Sequence, residues 1–412
     1  MLNSPLEFLA RQYGNVVLYD KDGVPSIFVK FPKMKSKDLD ASLPDHTHPA
    51  FIINGVEQDY ILLGKFKAAS MTGTGSDGKT LYSLPNMPPA YNRNADQFLT
   101  QLRSFGGGVS GMTVADRGFL LLLAQKNGWN PGGNSDWGHC YKDAARYEYG
   151  KAVTVGTKKG FNGWLYECLI AHTTSAELAP DVSPLYWKRI KQIGGVEAYP
   201  TLHDANWPKS TVLTLNGSGP LDWYLDGTPG SPCDLVGNQL EQDYGYRMVG
   251  NELQILENNN AASPDADLSA SSAAWKAILP NKSNDGYTLV APGTPGTLHW
   301  TWQNNKLTLD TVAPTYDNEY RGTYFKDLAY NSTNLPYIPH IVRELGLFPT
   351  PGSTMKGYYY MQITEDERFP RRGGLYRSGG YIGLGYESCY HPRGGAGWNY
   401  GARPRSLWNP ES

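Results

Sequence analysis

Cys389 and His391, near the C-terminal end of the chain, have side chains that could support nucleophilic chemistry. Side chains two positions apart on a strand point to the same face, and a thiol becomes nucleophilic where its surroundings lower its pKa. The neighbouring residues, however, are rich in Gly, Tyr and Arg, which is typical of a binding loop. We therefore interpret both residues as contact residues and expect no catalytic activity.

Residues 46–48 (His-Thr-His) offer a pattern of possible metal ligands. On a strand both imidazoles would lie on one face, and a symmetric trimer would gather three such faces on its axis. Because Pro49 follows at once, local structure is the simpler interpretation. The Asp-Lys-Asp-Gly stretch at residues 20–23 is interpreted as a turn, since no further calcium ligands continue it. We assign no metal site and no cofactor.

The cysteines are widely spaced and form no Cys-x-x-Cys pair, which argues against a zinc site or a redox dithiol. Free thiols in a reducing compartment are favoured, and disulfides stay open as an alternative. The sequence also lacks a Gly-x-Ser-x-Gly elbow, a P-loop and a His-Glu-x-x-His motif. The cysteines are Cys140, Cys168, Cys233 and Cys389.

Charge and hydropathy exclude several partners. The formal net charge of the 412 residues is −2, so no global field attracts nucleic acid or acidic membranes. The longest apolar run, residues 119–124, is far shorter than the roughly 20 residues that a membrane span needs. The first residues lack a basic region followed by an apolar one, so we expect no signal peptide.

The segment 371–403 has the composition of a binding surface. Tyrosine and tryptophan provide large contact areas at a low cost in side-chain entropy, while Gly and Ser allow the backbone to adapt. Glycine weakens regular strands, so this segment is expected to form loops held on a rigid sheet. Its rings are Tyr376, Tyr381, Tyr386, Tyr390, Trp398 and Tyr400.

The same segment holds several arginines against a single acid, Glu387. Either this surface is basic, or the arginines are buried in ion pairs. We predict structural roles for Arg372 and Arg403, a ligand contact for Arg377, and support of a loop for Arg393.

The elements that must position these residues are short. The 46 Gly and 29 Pro residues indicate many turns and few long helices, which predicts a loop-rich α+β protein. Strands are expected at residues 15–19 and 26–31, within an N-terminal β docking region covering 1–48. A turn is expected at Asn54-Gly55. Helices are predicted at 96–103, 114–127, 273–278 and 338–345, the second with Thr113 as its N-cap.

Residues 160–192 are predicted to be a small β-rich insertion. Their alternation of aromatic residues, strands and prolines resembles that of small carbohydrate-binding modules of the chitin-binding type. This resemblance implies that Trp164, Tyr166 and Trp187 stack on a sugar. The alternative is that these three rings form the core of the unit.

Several strings resemble the formylglycine-generating-enzyme-like branch of the C-type lectin fold. Residues 234–238 (Asp-Leu-Val-Gly-Asn) match its Asp-[Leu/Met]-x-Gly-Asn signature, after Trp-Tyr-Leu-Asp-Gly at 223–227. An Arg-Gly-Gly and a closing Gly-x-Arg bracket the ligand-facing loops in that branch, although Ala402 stands where Phe is usual. The scaffold residues that this resemblance implies are Asp234, Gly237, Asn238, Arg372, Gly373, Gly374, Gly401 and Arg403.

The whole arrangement resembles the variable proteins of diversity-generating retroelements of tailed phages and prophages. In that group, adenines of Asn codons are randomised, which yields many residue types but never Lys, Glu, Gln, Met or Trp. The positions where the template has Asn all carry accessible types: Leu375, Arg377, Ser378, Tyr381, Ser388, Tyr390, His391, Gly395, Gly397 and Asn399. Trp398 falls outside the accessible set, so it is predicted to act as a fixed anchor if it contacts the ligand.

This resemblance implies a C-type-lectin-like domain over 49–405 and a function in host attachment. The expected protein is a phage tail adhesin that binds a host cell-surface protein or glycan through 371–403, and that contacts other tail proteins in the virion as a homotrimer. The expected ligand contacts are the ten diversified positions together with Tyr376, Tyr386 and Trp398. The alternatives are a cell-encoded surface-display protein and a structural virion protein that uses the segment for subunit contacts.

Overall fold

The computed structural model describes residues 4–71, 79–199, 213–281 and 286–407. The α-helices in these ranges are α1 (Pro5–Gln12), α2 (Ser36–Leu39), α3 (Ala95–Arg103), α4 (Val114–Lys126) and α5 (His340–Glu344). Single turns of 3-10 helix lie at Pro49–Phe51, Leu221–Trp223, Asn260–Ala262, Phe325–Asp327 and Gly379–Tyr381.

Most regular structure in the described ranges is strand. The N-terminal half contains β1 (Asn15–Tyr19), β2 (Pro25–Pro32), β3 (Ile52–Ile53), β4 (Val56–Glu57), β5 (Tyr60–Gly64), β6 (Ala68–Ala69), β7 (Tyr82–Ser83), β8 (Val109–Gly111), β9 (Ala152–Val153), β10 (Lys158–Phe161), β11 (Trp164–Cys168), β12 (His172–Thr173) and β13 (Trp187–Gln192). The C-terminal half contains β14 (Leu240–Gln242), β15 (Tyr246–Val249), β16 (Glu252–Ile255), β17 (Lys276–Pro280), β18 (Tyr287–Val290), β19 (His299–Gln303), β20 (Lys306–Asp310), β21 (Tyr320–Tyr324), β22 (Ala329–Tyr330), β23 (Tyr358–Gln362), β24 (Glu367–Arg368), β25 (Arg371–Arg372), β26 (Glu387–Cys389), β27 (Tyr400–Ala402) and β28 (Pro404–Ser406).

One sheet joins the two ends of the chain. Its strand order is β1-β2-β5-β28-β8, so the C-terminal strand β28 lies between β5 and β8. Strand β2 pairs antiparallel with both β1 and β5. The strands predicted at 15–19 and 26–31 are therefore confirmed, and this region pairs with the rest of the chain through β5. Its backbone hydrogen bonds continue directly into the sheet of 49–405.

Helix α4 lies at the centre of the core. The Thr113 hydroxyl accepts a hydrogen bond from the Asp116 amide at 3.1 Å, and an Asp116 carboxylate oxygen accepts one from the Thr113 amide at 3.0 Å. This capping box starts the helix where the sequence predicts. Residues 119–122 (Phe-Leu-Leu-Leu) are buried all round the helix. The helices predicted at 96–103 and 114–127 are confirmed to within about a residue.

Two further sheets carry the C-terminal half of the chain. One has the order β21-β23-β26-β25-β14-β27, and the other runs β18-β17-β16-β19-β20-β22 with β15 and β24 attached. The helix predicted at 273–278 is wrong, because 273–275 are not helical and β17 begins at Lys276 and pairs with β16 and β18. Burial of Trp275 and Ile278 between neighbouring elements outweighs the helix propensity of the alanines.

The predicted insertion is a small β unit with its own aromatic core. Strands β10, β11 and β13 form its sheet, and its core also includes Tyr147 and Val153. The unit therefore begins before residue 160, earlier than the predicted range of 160–192.

The described residues form a mixed α+β structure that is mostly strands, with few helices. In this coarse form the predicted fold class is confirmed. Among the described helices, none is long and apolar enough to cross a membrane.

Candidate functional site

The sheet β21-β23-β26-β25-β14-β27 has one face in the core and one covered by the loops of 371–403. Strand β23 alternates accordingly, with Tyr359 fully buried and Tyr358 and Tyr360 half-buried on the other face. The register places Tyr360 beside Ser388 of β26 and opposite Gly322 of β21. Successive side chains of a strand point to opposite faces, so Tyr358 and Tyr360 belong to the loop-covered face.

Tyrosines from three stretches of the chain meet on this face. The ring of Tyr381 stacks on Tyr324 at 5.9 Å between centroids and meets Tyr358 edge-on at 4.8 Å. Tyr381 is 41% exposed and Tyr324 is 43% exposed. A further edge contact of 5.4 Å joins Tyr320 and Tyr390. We call Tyr320, Tyr324, Tyr358, Tyr360, Tyr381 and Tyr390 the tyrosine surface.

A glycine makes room for this arrangement. A Cβ atom at Gly322 would collide with the Tyr358 ring and lie 2.6 Å from its hydroxyl oxygen. Burial, with Tyr381 and Tyr358 as neighbours, raises the pKa of Tyr360 to about 12. This phenol stays neutral at physiological pH, so it offers an apolar ring face and an O–H group that can donate or accept.

The structure divides the predicted ligand contacts into two sets. Arg377 and Tyr381 are exposed, and Ser378, Tyr390, Gly395, Gly397, Trp398 and Asn399 are half-buried. Leu375, Tyr376, Tyr386, Ser388 and His391 are buried.

The buried set corrects the prediction that all of these residues face a ligand. Tyr376 and Tyr386 pack with Leu240 of β14 in one cluster. The Ser388 hydroxyl lies 2.9 Å from Nε2 of His391 beneath the loops. These side chains fix the loops to the sheet, because a loop with so much Gly needs buried anchors to hold one conformation.

Trp398 sits on top of one of these anchors. Its ring lies 5.1 Å from that of Tyr376, and its carbonyl oxygen accepts a hydrogen bond of 3.0 Å from the Gln239 side chain. The half-buried ring of Trp398 therefore keeps part of its surface exposed.

The Arg-Gly-Gly stretch lies at the start of the segment, on the core side. Arg372 is buried, forms an ion pair with Glu387, and donates to the Gly346 carbonyl at 2.8 Å. A Cβ at Gly373 would lie 2.5 Å from the Leu235 carbonyl oxygen, and Gly374 has a φ of 85°. These glycines allow the 235–237 loop to approach the segment closely.

The Asp-Leu-Val-Gly-Asn stretch supports the segment from below. The amide of Gly237 donates to the Gly373 carbonyl at 2.9 Å. The Asn238 side chain accepts from the Thr214 amide at 2.9 Å and donates to the Thr214 carbonyl at 3.1 Å. An Asp234 carboxylate oxygen accepts from the Gly217 amide at 2.7 Å. All three residues are buried.

The closing Gly-Ala-Arg stretch is also buried. A Cβ at Gly401 would lie 2.7 Å from the side-chain oxygen of Gln239. Arg403 donates to the Gly64, Lys65 and Cys233 carbonyls and to Glu241.

The arginines are thus mostly taken up by the scaffold. Arg371, Arg372, Arg403 and Arg405 are buried. Arg393 is half-buried and pairs with Glu367 at 3.0 Å, as expected of loop support. The structure therefore favours the alternative in which most arginines of the segment are buried with hydrogen-bonding or ion-pair partners, and not the alternative of a basic surface.

Cys389 and His391 do not act on each other. Cys389 faces the core, where its thiol donates to Glu387 at 2.8 Å and burial raises its pKa. Both imidazole nitrogens of His391 have other partners, Ser388 and Tyr400, each at 2.9 Å. A neutral, buried thiol is not nucleophilic. All four cysteines are free and buried.

Burial lowers the pKa of His391 to about 2, and the positive charges of Arg371 and Arg368 act in the same direction. We therefore expect stability to fall as pH drops below about 6.5, where histidine in the unfolded chain takes up a proton. Because the pKa of His391 is lower in the folded state, the neutral buried ring contributes its full stabilisation above about pH 6.5. Below that pH the free energy of unfolding falls by up to about 1.4 kcal/mol per pH unit.

His391→Gln keeps a donor and an acceptor but does not titrate. The stability difference between wild type and this variant, measured by urea unfolding, should shrink between about pH 7 and about pH 5. A difference that stays constant over this range would contradict the prediction.

The rings proposed to bind sugar in the insertion are mostly inside it. Tyr166 and Trp187 are buried, and the Trp187 indole donates to the Leu178 carbonyl at 2.9 Å. The half-buried Trp164 ring is covered by the Arg189 guanidinium at 4.4 Å. The predicted sugar platform is therefore corrected to the alternative, in which these rings form the core of the unit.

Sequence reasoning missed four members of the tyrosine surface, namely Tyr320, Tyr324, Tyr358 and Tyr360. The Tyr-Tyr-Tyr run at 358–360 was the available signal, since alternation along a strand must expose either its middle ring or its outer two. The pairing of β21 with β23 has no comparable local signal.

No family model matches the chain, and a search of curated proteins finds no match.

Proposed function

We propose that this chain is a receptor-binding protein of a phage or prophage tail, which recognises a host cell-surface ligand through the tyrosine surface. The observation that carries the proposal is that tyrosines from β21, β23 and the 371–403 loops converge on one face while their rings remain exposed or half-exposed. Rings of this kind dominate protein recognition surfaces because they are large, rigid and amphipathic.

The scaffold in this proposal is a C-type-lectin-like domain of the formylglycine-generating-enzyme-like branch. Its support is the placement of the resembling motifs. Arg372 and Arg403 are both buried at the two ends of the segment, and the loops between them cross one sheet face. The exposed residues Arg377 and Tyr381 are thus separated from the buried arginines at the two ends of the segment, as binding residues on a rigid scaffold require.

The rings of the tyrosine surface also restrict one another. Tyr381 contacts Tyr324, Tyr358 and Tyr360, so little side-chain freedom is left to lose on binding. Weak individual sites gain avidity when several copies bind one cell. A homotrimer within the tail, together with other tail proteins, is part of the proposal. Light scattering of the purified chain tests the trimer.

The test is binding of the labelled, purified chain to a panel of bacterial strains. The triple variant Tyr324→Ser, Tyr358→Ser and Tyr381→Ser should lose binding to the strain that wild type recognises, by about 100-fold or more. Aromatic hot spots cost about 2 kcal/mol or more each when truncated. Far-ultraviolet circular dichroism should be unchanged, since two of these rings are exposed.

A control replaces three tyrosines elsewhere whose exposure is like that of Tyr324 and Tyr381. Tyr19, Tyr149 and Tyr330 are 41%, 42% and 41% exposed, respectively, and their serine variants should bind as wild type does. Loss of virion assembly with unchanged adsorption would instead support a structural virion protein. A neighbouring reverse-transcriptase gene, with a near-copy of the segment's DNA that differs at adenines, would establish diversification.

A further inference from the structure

Two histidines and a glutamate meet at helix α5, and none of them belongs to the tyrosine surface. Nε2 of His46 lies 2.6 Å from one carboxylate oxygen of Glu344, and Nδ1 of His340 lies 2.9 Å from the other. The two imidazole centroids are 5.2 Å apart. His340 and Glu344 are one helical turn apart, whereas His46 comes from the opposite end of the chain.

The His-Thr-His stretch does not supply two equivalent imidazoles. His48 is buried, its Nε2 lies 3.0 Å from the Glu344 carbonyl oxygen, and its Nδ1 accepts from the Ala50 amide at 3.1 Å. Because both nitrogens are engaged, His48 positions α5, and only His46 reaches the carboxylate.

Surrounding groups hold the three side chains in place. The carboxylate of Glu344 is fully buried and also accepts a hydrogen bond from the Ser36 hydroxyl. The Tyr287 ring packs edge-on against His340 at 5.2 Å. Partners of this kind orient metal ligands in proteins.

The cluster opens onto a cavity of about 650 Å³. His46, His340 and Glu344 form part of its wall, and Glu257 and Lys276 line it as well. The carboxylate is thus approached by two imidazoles, and the cavity brings solvent to the exposed part of the His46 ring.

We propose that His46, His340 and Glu344 bind a divalent transition-metal ion of the zinc type, with one coordination position open to the cavity. Two imidazoles and one carboxylate are a ligand set that zinc favours, with water or another donor in the fourth position. The three ligand atoms lie within 4.8 Å of one another. Zinc bonds of about 2.0–2.1 Å place tetrahedral ligand atoms about 3.3 Å apart, so small side-chain rotations suffice.

Such an ion would connect distant parts of the chain. His46 follows α2, and His340 and Glu344 lie on α5, so the folded chain presents a site that the unfolded chain does not. Binding to the folded state alone raises the unfolding temperature as the metal concentration rises.

The experiment uses the full chain without a histidine tag, treated with a chelator and dialysed. Titration with ZnCl2 in a calorimeter should show one equivalent bound per chain, with a rise in the thermal unfolding midpoint. His46→Ala should weaken zinc binding by about 100-fold or more, because changes even to outer groups of metal sites cost about 10–100-fold. Co2+ should give the visible absorption of a site with nitrogen and oxygen ligands, which His46→Ala abolishes.

Matched controls separate this site from adventitious binding. His299→Ala removes another half-buried histidine and should bind zinc as wild type does. MgCl2 should give no binding, since magnesium prefers oxygen ligands. Glu344→Gln risks unfolding because Glu344 is buried, so the partly exposed His46 carries the test. Absence of zinc binding, or equal binding by His46→Ala, would overturn the proposal.

Discussion

Glu241→Gln lowers the unfolding free energy of this chain by about 3–5 kcal/mol, as expected when one partner of a buried ion pair is removed. The Glu241 carboxylate is fully buried and accepts hydrogen bonds from Lys67 at 2.9 Å and from Arg403 at 2.7 Å. Arg117 pairs with its other oxygen. Burial alone would raise the pKa of Glu241, but Arg403, Lys67 and Arg117 together lower it.

Glutamine has nearly the same shape as glutamate, so the loss of stability in this variant comes from the missing negative charge. Three buried cations would lose their shared carboxylate, and only Arg117 has a second acid within ion-pair distance, Asp243 at 2.9 Å, in the described structure. The pair of the exposed Asp366 and the half-buried Arg368 is the control, and Asp366→Asn should cost less than about 1 kcal/mol. Urea and thermal unfolding midpoints measure both variants. Equal unfolding midpoints for wild type and Glu241→Gln would show that the buried charge network around Glu241 contributes no net stability.

The sequence predicts the parts of this fold that depend on neighbouring residues. The capping box of α4 and the stop at Gly128 are local signals, so the helix is predicted to within about a residue. The turn at Asn54-Gly55 is likewise confirmed, with φ angles of 51° and 76°. Each of these features is specified by two to four consecutive residues.

Pairing between distant strands is not predictable in the same way. The stretch 273–278 contains three alanines, which favour a helix, but β17 begins at Lys276 and pairs with β16 and β18. Strand β28 lies beside β5, more than 300 residues earlier in the chain, as their registered pair Arg405 and Leu63 shows. Such contacts depend on the whole packed core, which no short window contains.

The residues of the candidate site are likewise only partly predictable from short stretches of sequence. The composition of 371–403 identifies the segment, yet it does not distinguish Tyr376, which is buried, from Tyr381, which is exposed. That distinction depends on how the loops lie on the sheet. The proposed metal ligands are also distant in the sequence, since His46 and Glu344 are brought together because α2 and α5 both pack against α4.

Gly118→Ala is expected to destabilise the chain by about 3 kcal/mol or more, although alanine is the better helix former by about 1 kcal/mol. Gly118 lies inside α4, where the adjoining helix α5 comes closest. A Cβ at this position would fall on the Glu344 carbonyl oxygen and lie 2.6 Å from Cα of Leu345. These are backbone atoms, so no side-chain rotation relieves the clash, and α5 must move away as a unit.

That movement makes Gly118 a link between the core and the histidine cluster. The Glu344 carbonyl that a Cβ would displace also binds Nε2 of His48 at 3.0 Å, and the same residue carries the carboxylate between His46 and His340. Gly394→Ala is the matched control, because nothing lies within 4 Å of a Cβ there. The thermal unfolding midpoint should fall by a large amount for Gly118→Ala and should stay unchanged for Gly394→Ala. An unchanged midpoint would mean that the approach of α5 does not require glycine at this position.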